Sequence, residues 1–135
     1  MFEISQFFEK EPSKNMTVLI IDDDQFFQES TCKMLSSVDI ACQSLSSATG
    51  LVAYLDEHPE IDLILLDIHL PEMDGYEVLL DLHLNDVRLP VITISGDDIS
   101  SELSGMLGAK QSLTKPFRQD DLLDAIYRFT TPARH

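Results

Sequence analysis

Three carboxylates in a row follow four branched apolar residues: Val18-Leu19-Ile20-Ile21 runs straight into Asp22-Asp23-Asp24. Like charges this close raise one another's pKa unless something positive sits among them. Further along, other apolar or strand-like runs end in groups suited to chemistry. "DLILLD" ends in Asp67, "VITIS" in Ser95 and "QSLTK" in Lys115. Hard divalent cations take oxygen ligands, and Mg²⁺ commonly uses one or two carboxylates and completes its shell with water and phosphate. Asp22, Asp23 and Asp67 offer that set to Mg²⁺, or to Mn²⁺ in its place. A phosphoryl donor arriving beside Asp67 would be neutralised by the metal and by Lys115. Asp67 is then a nucleophile for phosphoryl transfer, where positioning and charge cancellation do most of the catalysis.

These residues converge only if the runs that carry them are neighbouring strands. "VLII" at 18–21, "LILL" at 63–66 and "VITI" at 91–94 do not alternate with polar residues, as expected of strands buried on both faces of a parallel sheet. "IACQSL" at 40–45 is a weaker run, and the polar "QSLT" at 111–114 fits an edge strand. Helical stripes lie between them. They are Phe27, Thr31, Met34, Leu35 and Val38; Ala48, Leu51, Val52 and Leu55; Val78, Leu79 and Leu82; and Leu122, Leu123, Ile126 and Phe129. "DDISSELSGMLGA" is expected to be helical as well, although its Ser and Gly lower its propensity. The order is βαβαβαβαβα, an α/β domain with a doubly wound, five-stranded parallel sheet. Open sheets of this kind bind ligands at the carboxyl ends of their strands.

The whole chain agrees with one soluble domain. It has 135 residues, 44% of them hydrophobic, and a formal charge of -15. Such an acidic surface repels nucleic acid and anionic membranes, so direct DNA binding is not expected. No apolar run has the ~18 residues a span needs, and the N-terminus lacks the basic and apolar pattern of a secretory signal. Cys32 and Cys42 have no metal or redox spacing and read as buried free thiols in a reducing compartment. A cytoplasmic protein is the expectation.

"VLIIDDDQ", "LILLDIHLPEMDGYEVL", "PVITISG" and "LTKPF" resemble, in order and spacing, the motifs of response-regulator receiver domains of two-component signalling, the CheY-like family. The resemblance covers residues 16–129. It leaves 1–15 as an N-terminal extension or linker, where Phe2, Ile4, Phe7 and Phe8 could dock a short helix, and 130–135 as a C-terminal tail. It implies a flavodoxin-like (βα)5 fold with strand order 2-1-3-4-5. By the same resemblance Asp67 is the phosphoacceptor, Asp23 a direct Mg²⁺ ligand, and Asp22 its partner through water. His69 would lend its backbone carbonyl to the metal. Ser95 would bond the phosphoryl group, Lys115 would pair with it, and the Lys115–Pro116 peptide bond would be cis. Implied partners are a sensor histidine kinase or histidine phosphotransfer protein, and an output partner or an effector domain on a longer chain. Homodimer formation through the fourth helix, fifth strand and fifth helix is compatible with the sequence, which does not choose it. The output would follow from movement of Ser95 and the segment after it, with Ser100–Gly105 as the mobile element. One departure stands out: Ser112 occupies the position, three before Lys115, where receivers often carry an aromatic switch residue.

Plainer roles fit several residues. Asp24 is expected to cap the next helix, and Asp74 to serve a turn. His69 is expected to face solvent, as are His58, His83 and His135, while Met73 and Met106 are expected to pack. Two other functions compete. Asp22 and Asp24 have the Asp-x-Asp spacing of a haloacid-dehalogenase-like phosphatase, although no "DGT" follows and the chain is short for one. A degenerate receiver, never phosphorylated and used only for binding, is the other. A nucleotide or flavin site is disfavoured, because no Gly-rich loop follows the first strand.

Overall fold

The computed structural model describes residues 16–96 and 105–130. The expectations for residues 1–15, Asp97, Ser100–Ser104 and His135 lie outside these described residues.

Five parallel strands form one sheet: β1 (Thr17–Ile21), β2 (Ala41–Leu45), β3 (Leu63–Asp67), β4 (Val91–Ser95) and β5 (Gln111–Thr114), in the order β2-β1-β3-β4-β5. Four described helices join and flank them: α1 (Gln25–Ser36), α2 (Leu51–Glu57), α3 (Gly75–Leu84) and α4 (Gln119–Thr130). Every residue of β1, β3 and β4 is buried, which explains their unbroken apolar runs. On one face Leu19, Ile21, Ile64 and Leu66 pack with Leu51 and Leu55 of α2 and with Val78, Leu79 and Leu82 of α3. On the other, Val18, Ile20, Leu63, Leu65, Ile92 and Ile94 pack with Leu35 of α1 and with Leu122, Ala125 and Ile126 of α4. Coverage on both faces makes the sheet doubly wound, as expected, and the two edges fall to β2 and the polar β5.

Helix starts follow local chemistry. Asp24 caps α1 by accepting from the Phe27 amide at 3.2 Å, so that residue is a cap, as its position suggested. Asp74 caps α3 by accepting from Tyr76 N at 3.0 Å, rather than serving a turn alone. Met73 packs against the core, but Met106 is 76% exposed and does not pack as expected. Gly105 and Met106 are helical, and the Met106 side chain stands in solvent. His83 and His69 are exposed. His58 is half-buried instead, its ring stacked on Tyr54 at 3.9 Å one turn earlier.

The two cysteines require a correction. Cys32 and Cys42 are not free thiols but a disulfide, with Cα atoms 5.4 Å apart and both residues half-buried. They are ten positions apart in the sequence. That interval holds the end of α1 and the turn into β2, so the chain doubles back and brings the sulfurs together. No metal or redox spacing rule registers this reversal, because it depends on where the helix stops.

Candidate functional site

Register alone assembles most of the site. Ile21 pairs with Leu66, so the next residues, Asp22 and Asp67, lie side by side on adjacent strands. Asp67 pairs with Ile94, and Ser95 with Thr114, which puts Ser95 and Lys115 one step further along each neighbouring strand. Side chains alternate along a strand. Asp22, Asp67 and Lys115 continue the alternation of Ile20, Leu65 and Leu113, on the face covered by α1 and α4. Ser95 continues that of Thr93, on the opposite face.

Carboxylate oxygens of Asp22, Asp23 and Asp67 all lie within 4.8 Å of one another. Asp22 and Asp67 are buried and Asp23 is exposed, so the cluster has a dry floor and one open side. Each buried acid is also held by backbone. Asp22 Oδ1 accepts from Asp24 N at 2.9 Å, and Asp67 Oδ1 accepts from His69 N at 2.9 Å. Burial pushes the Asp22 carboxyl above its ordinary pKa, and the Asp67 charge adds to this. The Asp24 amide and the Lys115 ammonium pull it back in part. The cluster thus carries negative charge that the protein only partly compensates. Oxygen ligands at this spacing fit a hard divalent cation such as Mg²⁺.

Lys115 Nζ sits 3.2 Å from Asp22 Oδ2 and 4.3 Å from the centre of the Phe27 ring. Its ion pair is with Asp22 rather than with Asp67, while the Lys115 amide donates to Ser95 O at 2.7 Å. The Lys115–Pro116 bond is cis, and Phe117 meets Phe27 edge to face at 6.1 Å. Together with Thr31, Met34 and Leu122, these groups line an open groove of about 540 Å³ between α1 and the start of α4. Ser95 is buried at the end of β4. Two residues back, the Thr93 hydroxyl is hydrogen-bonded to that of Ser112, so a polar pair stands where many receivers place an aromatic ring.

Gln28 escaped the sequence reading. It is buried, and its Nε2 donates both to the carbonyl of Asp22 and, at 3.1 Å, to that of Leu45. Gln28, Thr31 and Leu35 form the buried stripe of α1. A glutamine on the i, i+3, i+7 face was the available signal, but the apolar count starts at Phe27 and passes over it. Asp24 is exposed and engaged as a cap, which removes the second acid of an Asp-x-Asp phosphatase pair from the cluster.

Comparison with known proteins agrees with this geometry. The family model "Response regulator receiver domain" matches residues 18–127. The cell cycle response regulator CtrA of Brucella ovis is 36% identical over 114 residues, which cover 83% of this chain and 49% of that protein. The chain spans about half the length of the curated relatives it matches. Among solved structures, a CheY-like receiver domain from Methanospirillum hungatei is 28% identical, with TM-score 0.75, over 84% of this chain and 92% of that one. The CheX–CheY–BeF3–Mg²⁺ complex from Borrelia burgdorferi is 27% identical, with TM-score 0.72, over 84% and 87%. A fold with strand order 2-1-3-4-5, an acidic cluster at its carboxyl edge and a family match along nearly the whole sheet lead to one assignment: the chain belongs to the response-regulator receiver domain family.

Proposed function

We propose that Asp67 is a phosphoacceptor, taking a phosphoryl group from a histidine kinase or a histidine phosphotransfer protein. The observation that carries this reading is the convergence of Asp22, Asp23 and Asp67, with Lys115 paired to the first of them. In the reaction an Asp67 carboxylate oxygen attacks phosphorus, the phosphorus–nitrogen bond of the donor imidazole breaks, and the imidazole leaves with the bonding electrons and takes up a proton. Mg²⁺ held by Asp22, Asp23 and Asp67, with the His69 carbonyl as a further ligand, would neutralise the charge on the transferring group. The Borrelia relative was solved with beryllofluoride and Mg²⁺.

The remaining roles belong to the chain's own groups. Lys115 leans on Asp22 before transfer and is within a short swing of a new anion on Asp67. Ser95 offers its hydroxyl to that anion from the other face. The groove beside Lys115, lined by Phe27 and Phe117, suits the donor protein's helix, because it opens next to the acceptor. The domain catalyses only its own phosphorylation and dephosphorylation. Residues 16–129 act as the receiver, and the output is a partner protein or an effector domain elsewhere in a longer chain. The phosphoryl group comes ultimately from ATP, so the cytoplasm is the proposed compartment. No helix of the described residues is long and apolar enough to cross a membrane.

Incubation with acetyl phosphate and Mg²⁺, followed by intact mass, tests the assignment. One phosphoryl group should add to the wild type and none to Asp67→Asn. Equal labelling of both would overturn it, and no labelling of either would support the degenerate receiver that only binds.

A further inference from the structure

Two ties join α1 to the edge strand β2. One is covalent, Cys32 to Cys42. The other is Gln28, one helical turn before Cys32 and on the same side of the helix. Its Nε2 reaches the carbonyl of Leu45, three residues beyond Cys42, and the carbonyl of Asp22. The Leu45 carbonyl also accepts from the Asp22 amide at 3.1 Å. The backbone of this buried acid is therefore gripped by groups that hang from α1 and β2, and the disulfide fixes the separation of those two elements. Both cysteines are half-buried, so a small thiol can reach the bond although the protein shields it. A disulfide in a reducing cytoplasm is usually transient and sensing rather than structural.

We propose that Cys32 and Cys42 form a reversible thiol–disulfide clasp, whose state sets how firmly the acidic cluster holds a divalent cation. The clasp rests on the receiver reading above, because that reading gives the cluster its metal. Closing it breaks two S–H bonds and forms one S–S bond. Two electrons and two protons pass to a low-molecular-weight disulfide such as oxidised glutathione, which leaves as two thiols. Opening it is the reverse exchange. In the closed state α1 cannot move off β2, and Gln28 is held against both carbonyls. In the open state the Gln28 hydrogen bonds and side-chain packing must hold the helix there, and the Asp22 backbone loosens.

The test uses the wild-type chain and a Cys32→Ala/Cys42→Ala double variant. Each is equilibrated in glutathione mixtures of graded ratio, alkylated, and its thiols counted by intact mass. Mg²⁺ alone is then titrated into the fully oxidised and fully reduced forms, and the amide resonances of Asp23 and Ile68 are followed. The two thiols should disappear together and reversibly. Mg²⁺ should bind about fivefold more weakly to the reduced form, the scale of one hydrogen bond lost. Exchange of the Gln28 side-chain amide should be faster there. The double variant should give the reduced-form values at every ratio. Two free thiols or mixed glutathione adducts at all ratios would overturn the clasp. So would equal Mg²⁺ affinity in both forms. Absence of Mg²⁺ binding in both forms would instead overturn the receiver reading, and with it the link from clasp to metal, even if the thiols still paired.

Discussion

The sheet has two kinds of strand, and they do different work. In β1, β3 and β4 every residue is buried, while β2 and β5 are largely half-exposed. Asp22, Asp67 and Ser95 all end or follow central strands and are themselves buried. Lys115 follows the edge strand β5, and its side chain keeps 31% of its exposure. On the proposed reading, the groups that hold a fixed geometry stand on the buried centre, and the cation that shifts partners stands on the edge, on a flexible stem. The edge strand β2 also touches the site, since the Leu45 carbonyl accepts from the Asp22 amide and from Gln28, and Cys42 is bonded to Cys32 of α1.

That contrast predicts a graded set of effects. Ile20→Ala removes a fully buried side chain of β1 and should cost about 3 kcal/mol in urea unfolding. Leu45→Ala, on the half-buried β2, should cost about 1 kcal/mol, because partly exposed groups bury less area to lose. Similar costs would erase the distinction between centre and edge.

The second break falls where β3 leaves the sheet. A Cβ on Gly75 would lie 2.5 Å from Ile68 Cα, a clash with backbone beside Asp67. Gly75→Ala should therefore cost about 2 kcal/mol and slow labelling by acetyl phosphate. Gly96→Ala, just beyond Ser95, has nothing among the described residues within 4 Å of the added atom and should leave stability nearly unchanged. A tolerant Gly75 would mean that the loop after Asp67 is not built to close tolerance. A smaller effect is expected between β4 and β5. Ser112→Ala leaves the fully buried Thr93 hydroxyl without its Ser112 partner and should cost about 1 kcal/mol.

Centre and edge also differ in how much of them the sequence discloses. The central strands are legible because burial on both faces demands unbroken apolar runs, and the acids that follow cannot be explained by packing. The strand order came through family resemblance, since run lengths do not fix which strands are neighbours. Three features at the edge and beneath it were hidden for separate reasons. The disulfide depends on where α1 stops. Gln28 is a polar residue on a buried stripe, and its value lies in two carbonyls distant in sequence. Lys115 is expected to serve Asp67, but in this structure its ion pair is with the fully buried, only partly compensated Asp22. Residue types give the chemistry, whereas the resting partner of a mobile charge follows from relative burial.

The last of these effects has an unusual sign. Burial, then the Asp67 charge, raises the Asp22 pKa in the folded state, against the opposing Asp24 amide and Lys115. The unfolded chain holds this group near 3.8. A folded pKa above the unfolded one means that the folded state binds the proton more tightly. The stabilisation from protonated Asp22 is complete below the unfolded pKa and disappears as pH rises through the folded one. At neutral pH the ionised group therefore works against folding. Asp22→Asn keeps the shape and an oxygen for the Asp24 amide but removes the buried charge. Lys115, partly exposed, can hydrate or turn to Asp67. Metal-free Asp22→Asn should be more stable than wild type at pH 7, by about 1 kcal/mol, and the gain should shrink as pH falls towards 3.8. Added Mg²⁺ should reverse the ranking, because wild type gains binding free energy that the variant has largely lost. Thermal melts at several pH values, with and without Mg²⁺, read both outcomes. If the variant were less stable than wild type without metal, the Lys115 pair would outweigh burial, and the centre of the sheet would be electrostatically content without a cation.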